Sequence, residues 1–194
     1  MTVSFKNFWS LNTDEAVVTG LLRDAVTKDV EVLMPLNTQM KGVDLVIMNV
    51  KTKKVITLQV KGSKAYEPGE ESTAVYGDGS TGWFFLNTDT IHKATADYFI
   101  FLVYVIEQSS RTGRRYIKPH TITIPVEVLS ILSKKHKTPH KVKSGGSRYS
   151  YYLWVNPSEK KAYDVREAKE GNKYDVSEYL DEKGFEKLNR ILEM

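Results

Sequence analysis

At 194 residues, with 41% apolar and 27% charged side chains, the chain has the make-up of a soluble globular protein and enough material for one sizeable core, so a single domain over 1–194 is expected. The lack of cysteine excludes a disulfide scaffold, a thiolate zinc site and a cysteine nucleophile. The net charge of +4 conceals an imbalance, because 109–150 carries Arg111, Arg114, Arg115, Lys118, Lys134, Lys135, Lys137, Lys141, Lys143 and Arg148 against the single acid Glu127; that segment is +9 and the remainder −5, the footprint of a polyanion partner or of a solvated basic loop.

The opening MTVSFKNFWSLNTDE has no long apolar run, and no later stretch is apolar enough to span a bilayer, so a cytoplasmic protein without membrane contact is expected. Asn12 as N-cap, with Asp14 and Glu15 after it, starts a helix over about Thr13–Thr27, supported by Val17, Val18, Leu21, Leu22, Ala25 and Val26 at helical spacing. Val30–Pro35 reads as a short strand and Leu36–Lys41 as a polar connection. Two apolar runs, Val43–Val50 and Val55–Lys61, form a hairpin about Lys51–Lys54; pairing Val50 with Val55 sets Asp44 opposite Lys61, with Gln59 on the same face.

Gly69–Gly82 is rich in Gly, Glu, Ser and Thr and reads as a loop. Trp83–Leu86 and Tyr98–Ile106 are strands, and the second, uncharged and without alternation, is expected to be central and buried on both faces. Ser109–Gly113 is a turn and Arg114–Ile124 another strand; Pro125–Leu132 is a helix with proline at its first position. A basic loop over Lys134–Ser147, a tyrosine-rich strand over Arg148–Val155, a turn at Asn156–Pro157 and an amphipathic helix over Val176–Leu192 complete the chain. That order implies α/β, with α+β as the alternative, around a mixed central sheet flanked by helices.

An aspartate, an apolar strand, a short turn and a second strand ending in (Asp/Glu/Gln)-x-Lys together resemble the core of the PD-(D/E)xK nucleases, over about Thr13–Lys64. The residues that carry the resemblance are Lys41-Gly42-Val43-Asp44, Gln59-Val60-Lys61 and the upstream Glu15. It implies a restriction-endonuclease-like or Holliday-junction-resolvase-like core and a metal-dependent endonuclease acting on DNA. Asp44 and Gln59 would hold Mg²⁺, or Mn²⁺, with the Val60 carbonyl and Glu15 as further ligands, and Lys61 would assist the attacking water. Gln59 replaces an acid with a neutral amide, which weakens the site and leaves a binding-only module as the alternative. Lys64 and the cations of the basic segment (Arg111, Arg114, Arg115, Lys134, Lys135, Lys137, Lys141, Lys143 and Arg148) would meet phosphates. Cutting both strands of a duplex would suit a homodimer.

The plainer account is that Asp44 caps a turn and pairs with Lys61 across the strands, worth about 0.2–1 kcal/mol. Tyr149, Tyr151 and Tyr152 beside the basic loop suggest base stacking, although alternate strand positions usually enter the core. Trp83, Phe84 and Phe85 are expected in the core, and His92, His120, His136 and His140 are assigned no chemistry. No nucleophile elbow or Walker-type loop is present.

Overall fold

The computed structural model describes residues 13–35, 41–66, 69–143, 145–166 and 173–194. The expected cap at Asn12 and most of the Leu36–Lys41 connection lie outside them, as does Ser144 of the basic loop. Helix α1 (Thr13–Ala25) places Asp14 and Glu15 at its positive end and buries Glu15, Val18 and Leu22, one stripe at i, i+3 and i+7. Strands β1 (Val30–Leu33), β2 (Leu45–Asn49) and β3 (Val55–Gly62) follow, then helix α2 (Glu70–Tyr76), strand β4 (Ser80–Asn87) and helix α3 (Thr88–His92). Strands β5 (Tyr98–Gln108) and β6 (Arg115–Pro125) form a long hairpin that leads into α4 (Val126–His136). The chain closes with β7 (His140–Lys141), β8 (Ser147–Asn156), β9 (Lys161–Asp164), β10 (Tyr174–Asp175) and α5 (Glu182–Glu193).

The strands form two sheets. The first has the order β1-β2-β3-β5-β6 and is mixed: β3 and β5 run parallel, the other neighbours antiparallel. The second runs β10-β9-β8-β4, with β7 paired to β8, and is antiparallel. Over the uncharged run Tyr98–Ile106 strand β5 is buried on both faces, as expected, and it divides the core in two. Ile100 and Leu102 join Leu45, Ile47, Leu58 and Val60 under α1 and α5, which contribute Val18, Leu22, Phe185, Leu188 and Leu192. Phe99, Phe101, Val103 and Val105 meet the inner face of the second sheet through Phe84, Leu86, Tyr151, Leu153 and Val155. Each large apolar side chain so buried stabilises by about 1.5–3 kcal/mol. The result is an α/β fold with a mixed central sheet flanked by helices, and a second sheet on its far side.

Several elements depart from the sequence expectation. The stretch expected as a loop over Gly69–Gly82 contains α2, with Glu70 and Glu71 in its first turn, and Gly77 at φ +81 ends it. Its Gly, Ser and Thr content masks a helix of about two turns. Pro125 sits at the N-cap of α4 rather than inside it, and α4 continues through Lys134 and Lys135 to His136, where a basic loop was expected. The C-terminal helix starts only at Glu182, because Ser177–Tyr179 makes a 3₁₀ turn and Asp181 adopts φ +46, which no helix continues through.

Candidate functional site

The β2–β3 hairpin carries the motif, and its register differs from the expected one. The observed pairs run from Leu45↔Leu58 to Met48↔Val55. Asn49 sets them: its Oδ1 accepts the N–H groups of Lys51 and Thr52, its own N–H donates to Lys54, and Lys53 turns at φ +62. Val50 leaves the ladder and donates to the Asp29 carbonyl instead of pairing with Val55. The strands are offset by two residues from the symmetric arrangement. One step past Leu45↔Leu58, Asp44 therefore comes opposite Gln59, and the expected Asp44–Lys61 pairing is not formed. Because side chains alternate with period two, an offset of two keeps faces unchanged. Asp44, Gln59 and Lys61 still emerge together on the face opposite α1.

The Asp44 N–H donates to the Leu58 carbonyl at 2.8 Å, and Asp44 Oδ2 accepts the Val60 N–H at 2.8 Å. The carboxylate thus replaces the main-chain acceptor that β2, which begins only at Leu45, does not supply. Before it, Gly42 turns at φ +82, and the Thr95 hydroxyl, donating to the Lys41 carbonyl at 2.7 Å, would lie 3.0 Å from a Cβ there. Gln59 is buried, with Nε2 3.8 Å from that same position. Lys61 is half-buried and makes no ion pair among the described residues.

Glu15 is not brought onto this face. It lies on the stripe of Val18 and Leu22, against the side of the sheet that α1 covers. Its neighbour Asp14 reaches the end of β3, where a Cβ on Gly62 would overlap its Oδ2, and accepts the Tyr104 hydroxyl at 2.9 Å. Burial, with the bond to Asp14, pushes the Tyr104 phenol up to about 12.

As a divalent-cation site, Asp44, Gln59 and the Val60 carbonyl supply one negative charge, and one oxygen of that carboxylate already holds an N–H. Among the described residues no three His, Asp or Glu side chains gather as a metal site. Mg²⁺ is held by one or two carboxylates together with substrate phosphates. The donor set therefore fits a metal only jointly with a phosphate oxygen.

The basic segment does not act as one patch. Arg111, Arg114 and Arg115 stand at the tip of the β5–β6 hairpin, while α4 starts at its other end, where Tyr98 pairs with Pro125. Ten strand steps separate those ends, about 33 Å. Lys141, Lys143 and Arg148 are exposed around β7 and the start of β8, and Lys134 and Lys135 in the last turn of α4. Lys64, just past β3, is exposed as well. Lys137 is the exception: its side chain is 3% exposed, pairs with Asp164 at 2.6 Å and donates to the Ser150 carbonyl, so it is withdrawn from any phosphate.

The aromatic expectation is half reversed. Phe84, Tyr149 and Tyr151 are in the core, but Trp83 is 41% and Phe85 49% exposed on the outer face of the second sheet. Trp83 pairs with Tyr152 across β4 and β8. The run Trp-Phe-Phe-Leu carries no polar residue to show which alternate set faces out, so its sequence left that open.

A polar cluster that sequence reading missed lies on β6, at the edge of the first sheet. His120 is buried between Asp181 (Nδ1, 2.7 Å) and Glu107 (Nε2, 2.9 Å), with Tyr116 donating to Glu107 at 2.7 Å. Burial pulls the His120 pKa down, but the two carboxylates outweigh it and leave it above its ordinary value. Glu107 and Asp181 are far from His120 in sequence or separated by irregular spacing, so no motif announces them. Comparison with family models, with curated proteins and with solved structures finds no match for this chain.

Proposed function

We propose that the chain is a nucleic-acid-binding module on a nuclease-like α/β scaffold, with DNA as its first partner to test. The observation that carries this reading is a set of exposed cations without acidic partners among the described residues: Lys64 beyond β3, Arg111 and Arg114 on the hairpin tip, and Lys134, Lys135, Lys141 and Lys143 near β7. Cations left unpaired on a surface gain most from phosphates, whose neutralisation releases counterions. The hairpin supports binding better than catalysis, since Asp44 spends one carboxylate oxygen on Val60 and stands with an amide instead of a second acid.

Fluorescence anisotropy with a labelled oligonucleotide, in EDTA at 50 and 200 mM salt, tests the proposal. Affinity falls about 10³-fold or more over that range if six or more phosphates are contacted. Changing Arg111 and Arg114 together to Ala lowers both the affinity and the salt slope, whereas Asp44→Asn, which removes a negative charge, does not weaken binding. Absence of binding at 50 mM salt contradicts the reading.

A second reading, Mg²⁺- or Mn²⁺-dependent phosphodiester cleavage, is favoured by the common face of Asp44, Gln59 and Lys61. Here the metal, held by Asp44, Gln59 and the Val60 carbonyl together with the substrate, would supply charge stabilisation at the phosphoryl group. Lys61 would hold a water or a phosphate oxygen. Cleavage of supercoiled or branched DNA that is lost in Asp44→Asn and Lys61→Ala would establish it in place of the first.

A further inference from the structure

We propose that the outer face of the second sheet is a stacking surface for unpaired bases, so that the preferred partner is a single-stranded nucleic acid. This inference rests on the nucleic-acid-binding reading and deepens it.

The face is built by strand alternation. Trp83 and Phe85 point outward from β4, Tyr152 outward from β8 in register with Trp83, and their neighbours Phe84, Leu86, Tyr151 and Leu153 fill the core. Tyr66, arriving from the end of β3, stacks on Trp83 with ring centroids 4.7 Å apart and planes 18° apart. Trp83 stacks on Tyr152 at 4.9 Å and 15°, and the Arg166 guanidinium lies 4.7 Å over Tyr152. The order is a continuous column, Tyr66–Trp83–Tyr152–Arg166, with a cation closing one end. At the other end no further ring among the described residues covers Tyr66. Beside the column, Phe85 carries the Arg148 guanidinium at 5.0 Å.

A fold has little reason to leave a tryptophan and a phenylalanine this exposed on adjacent outward positions, since both would gain from burial. Two features of the surroundings select the occupant. The far side of the half-buried Tyr66 ring, on which no other ring among the described residues stacks, is a π-face that every nucleobase can extend, irrespective of sequence. Among the described residues, Arg148 lies over Phe85, Arg166 over Tyr152, and Lys64 is exposed two residues before Tyr66, and these cations suit the phosphates between stacked bases. A duplex hides its base faces, so only an unpaired strand can use both features.

The column also joins the candidate site. The Trp83 N–H donates to the Ser63 hydroxyl at 2.8 Å, two residues past Lys61, and Ser63 in turn donates its N–H to Leu102 of β5. A strand stacked at Tyr66 would therefore run toward Lys64 and the Asp44–Gln59–Lys61 face.

The test compares three probes with equal numbers of phosphates at low salt: a single-stranded oligothymidylate, the same backbone with abasic sites, and a self-complementary hairpin duplex. The expected order is oligothymidylate tighter than abasic strand by about tenfold or more, with the duplex no tighter than the abasic strand. Trp83→Leu, on an exposed side chain, and Tyr66→Leu, on a half-buried one, remove that preference while leaving the abasic affinity unchanged; a matching circular-dichroism spectrum confirms their folding. Equal binding of base-bearing and abasic strands by the wild type overturns the inference and leaves the phosphate-binding reading standing. Binding to none of the three probes overturns both.

Discussion

The Asp44 carboxylate does structural service whatever else it does, because it accepts the Val60 N–H that the end of β2 would otherwise leave unpaired. Asp44→Ala orphans that N–H and should cost about 1–3 kcal/mol, while Asp44→Asn keeps an acceptor in place and should cost under about 1 kcal/mol. Urea denaturation of the two variants checks the difference, and equal stability would show that the bond is unimportant. For this reason loss of function in the alanine variant would say little about chemistry, and the asparagine variant is the informative one. Gly42 behaves similarly: at φ +82, with Thr95 pressed against the place a Cβ would take, Gly42→Ala should destabilise by about 1 kcal/mol or more through left-handed backbone and crowding together. At this scale the sequence was a good guide to faces and a poor one to registers. That Asp44, Gln59 and Lys61 share a face follows from parity alone. Which residue stands opposite Asp44 depended on Asn49 closing the turn with its side chain, and nothing in the run Asn-Val-Lys-Thr-Lys-Lys distinguishes that turn from a symmetric one.

Among the elements, α5 is tied to the first sheet by an unusual fastening. Asp181, strained at φ +46, accepts the Thr121 N–H through Oδ1 and the His120 ring through Oδ2, and its own N–H donates to the Thr121 carbonyl. Glu107, with Lys118 and Tyr116 beside it, holds the other side of the ring. Because His120 is raised above 6.5 in the fold, its contribution is fully present below pH 6.5 and is lost as pH rises through the folded value. Glu107 is lowered from 4.5, burial being outweighed by its bonds from Tyr116 and His120, so its contribution is present above 4.5 and lost in acid below that. Both are whole between those values. Thermal unfolding should therefore show lower stability at pH 8.5 than at pH 6, and His120→Gln should flatten that slope while costing about 1.5–3 kcal/mol at pH 6. A wild-type profile no steeper than the variant's would count against this fastening. The helix α1 and the motif hairpin were legible from their apolar periods, and the buried strand β5 from an unbroken run of aromatic and β-branched residues. The short elements α2, α3, β9 and β10 were not, since none is long enough to show a period of its own.

For the whole molecule, the central sheet separates two environments. One face is sealed by α1 and α5, and the other receives the second sheet, beside which the Asp44–Gln59–Lys61 face remains. The expectation of one central sheet captured the mixed β1-β2-β3-β5-β6 layer but not the second layer, because antiparallel strands distant in sequence give no local sign of which sheet they join. Charge was legible as a total and not as a layout: the +9 segment is divided between a hairpin tip and the α4–β7–β8 region, and Lys137 is spent internally on Asp164. The central claim, that these dispersed cations meet a polyanion, predicts an affinity governed by salt and indifferent to metal. The most direct measurement is the salt dependence of DNA binding, taken once in EDTA and once in Mg²⁺ with the uncleaved strand verified. A linear fall of log affinity with log salt is expected, steep in both media, and shallower when Arg111 and Arg114 are replaced by Ala. Binding that requires Mg²⁺ and vanishes in Asp44→Asn, or no binding at low salt, would contradict it.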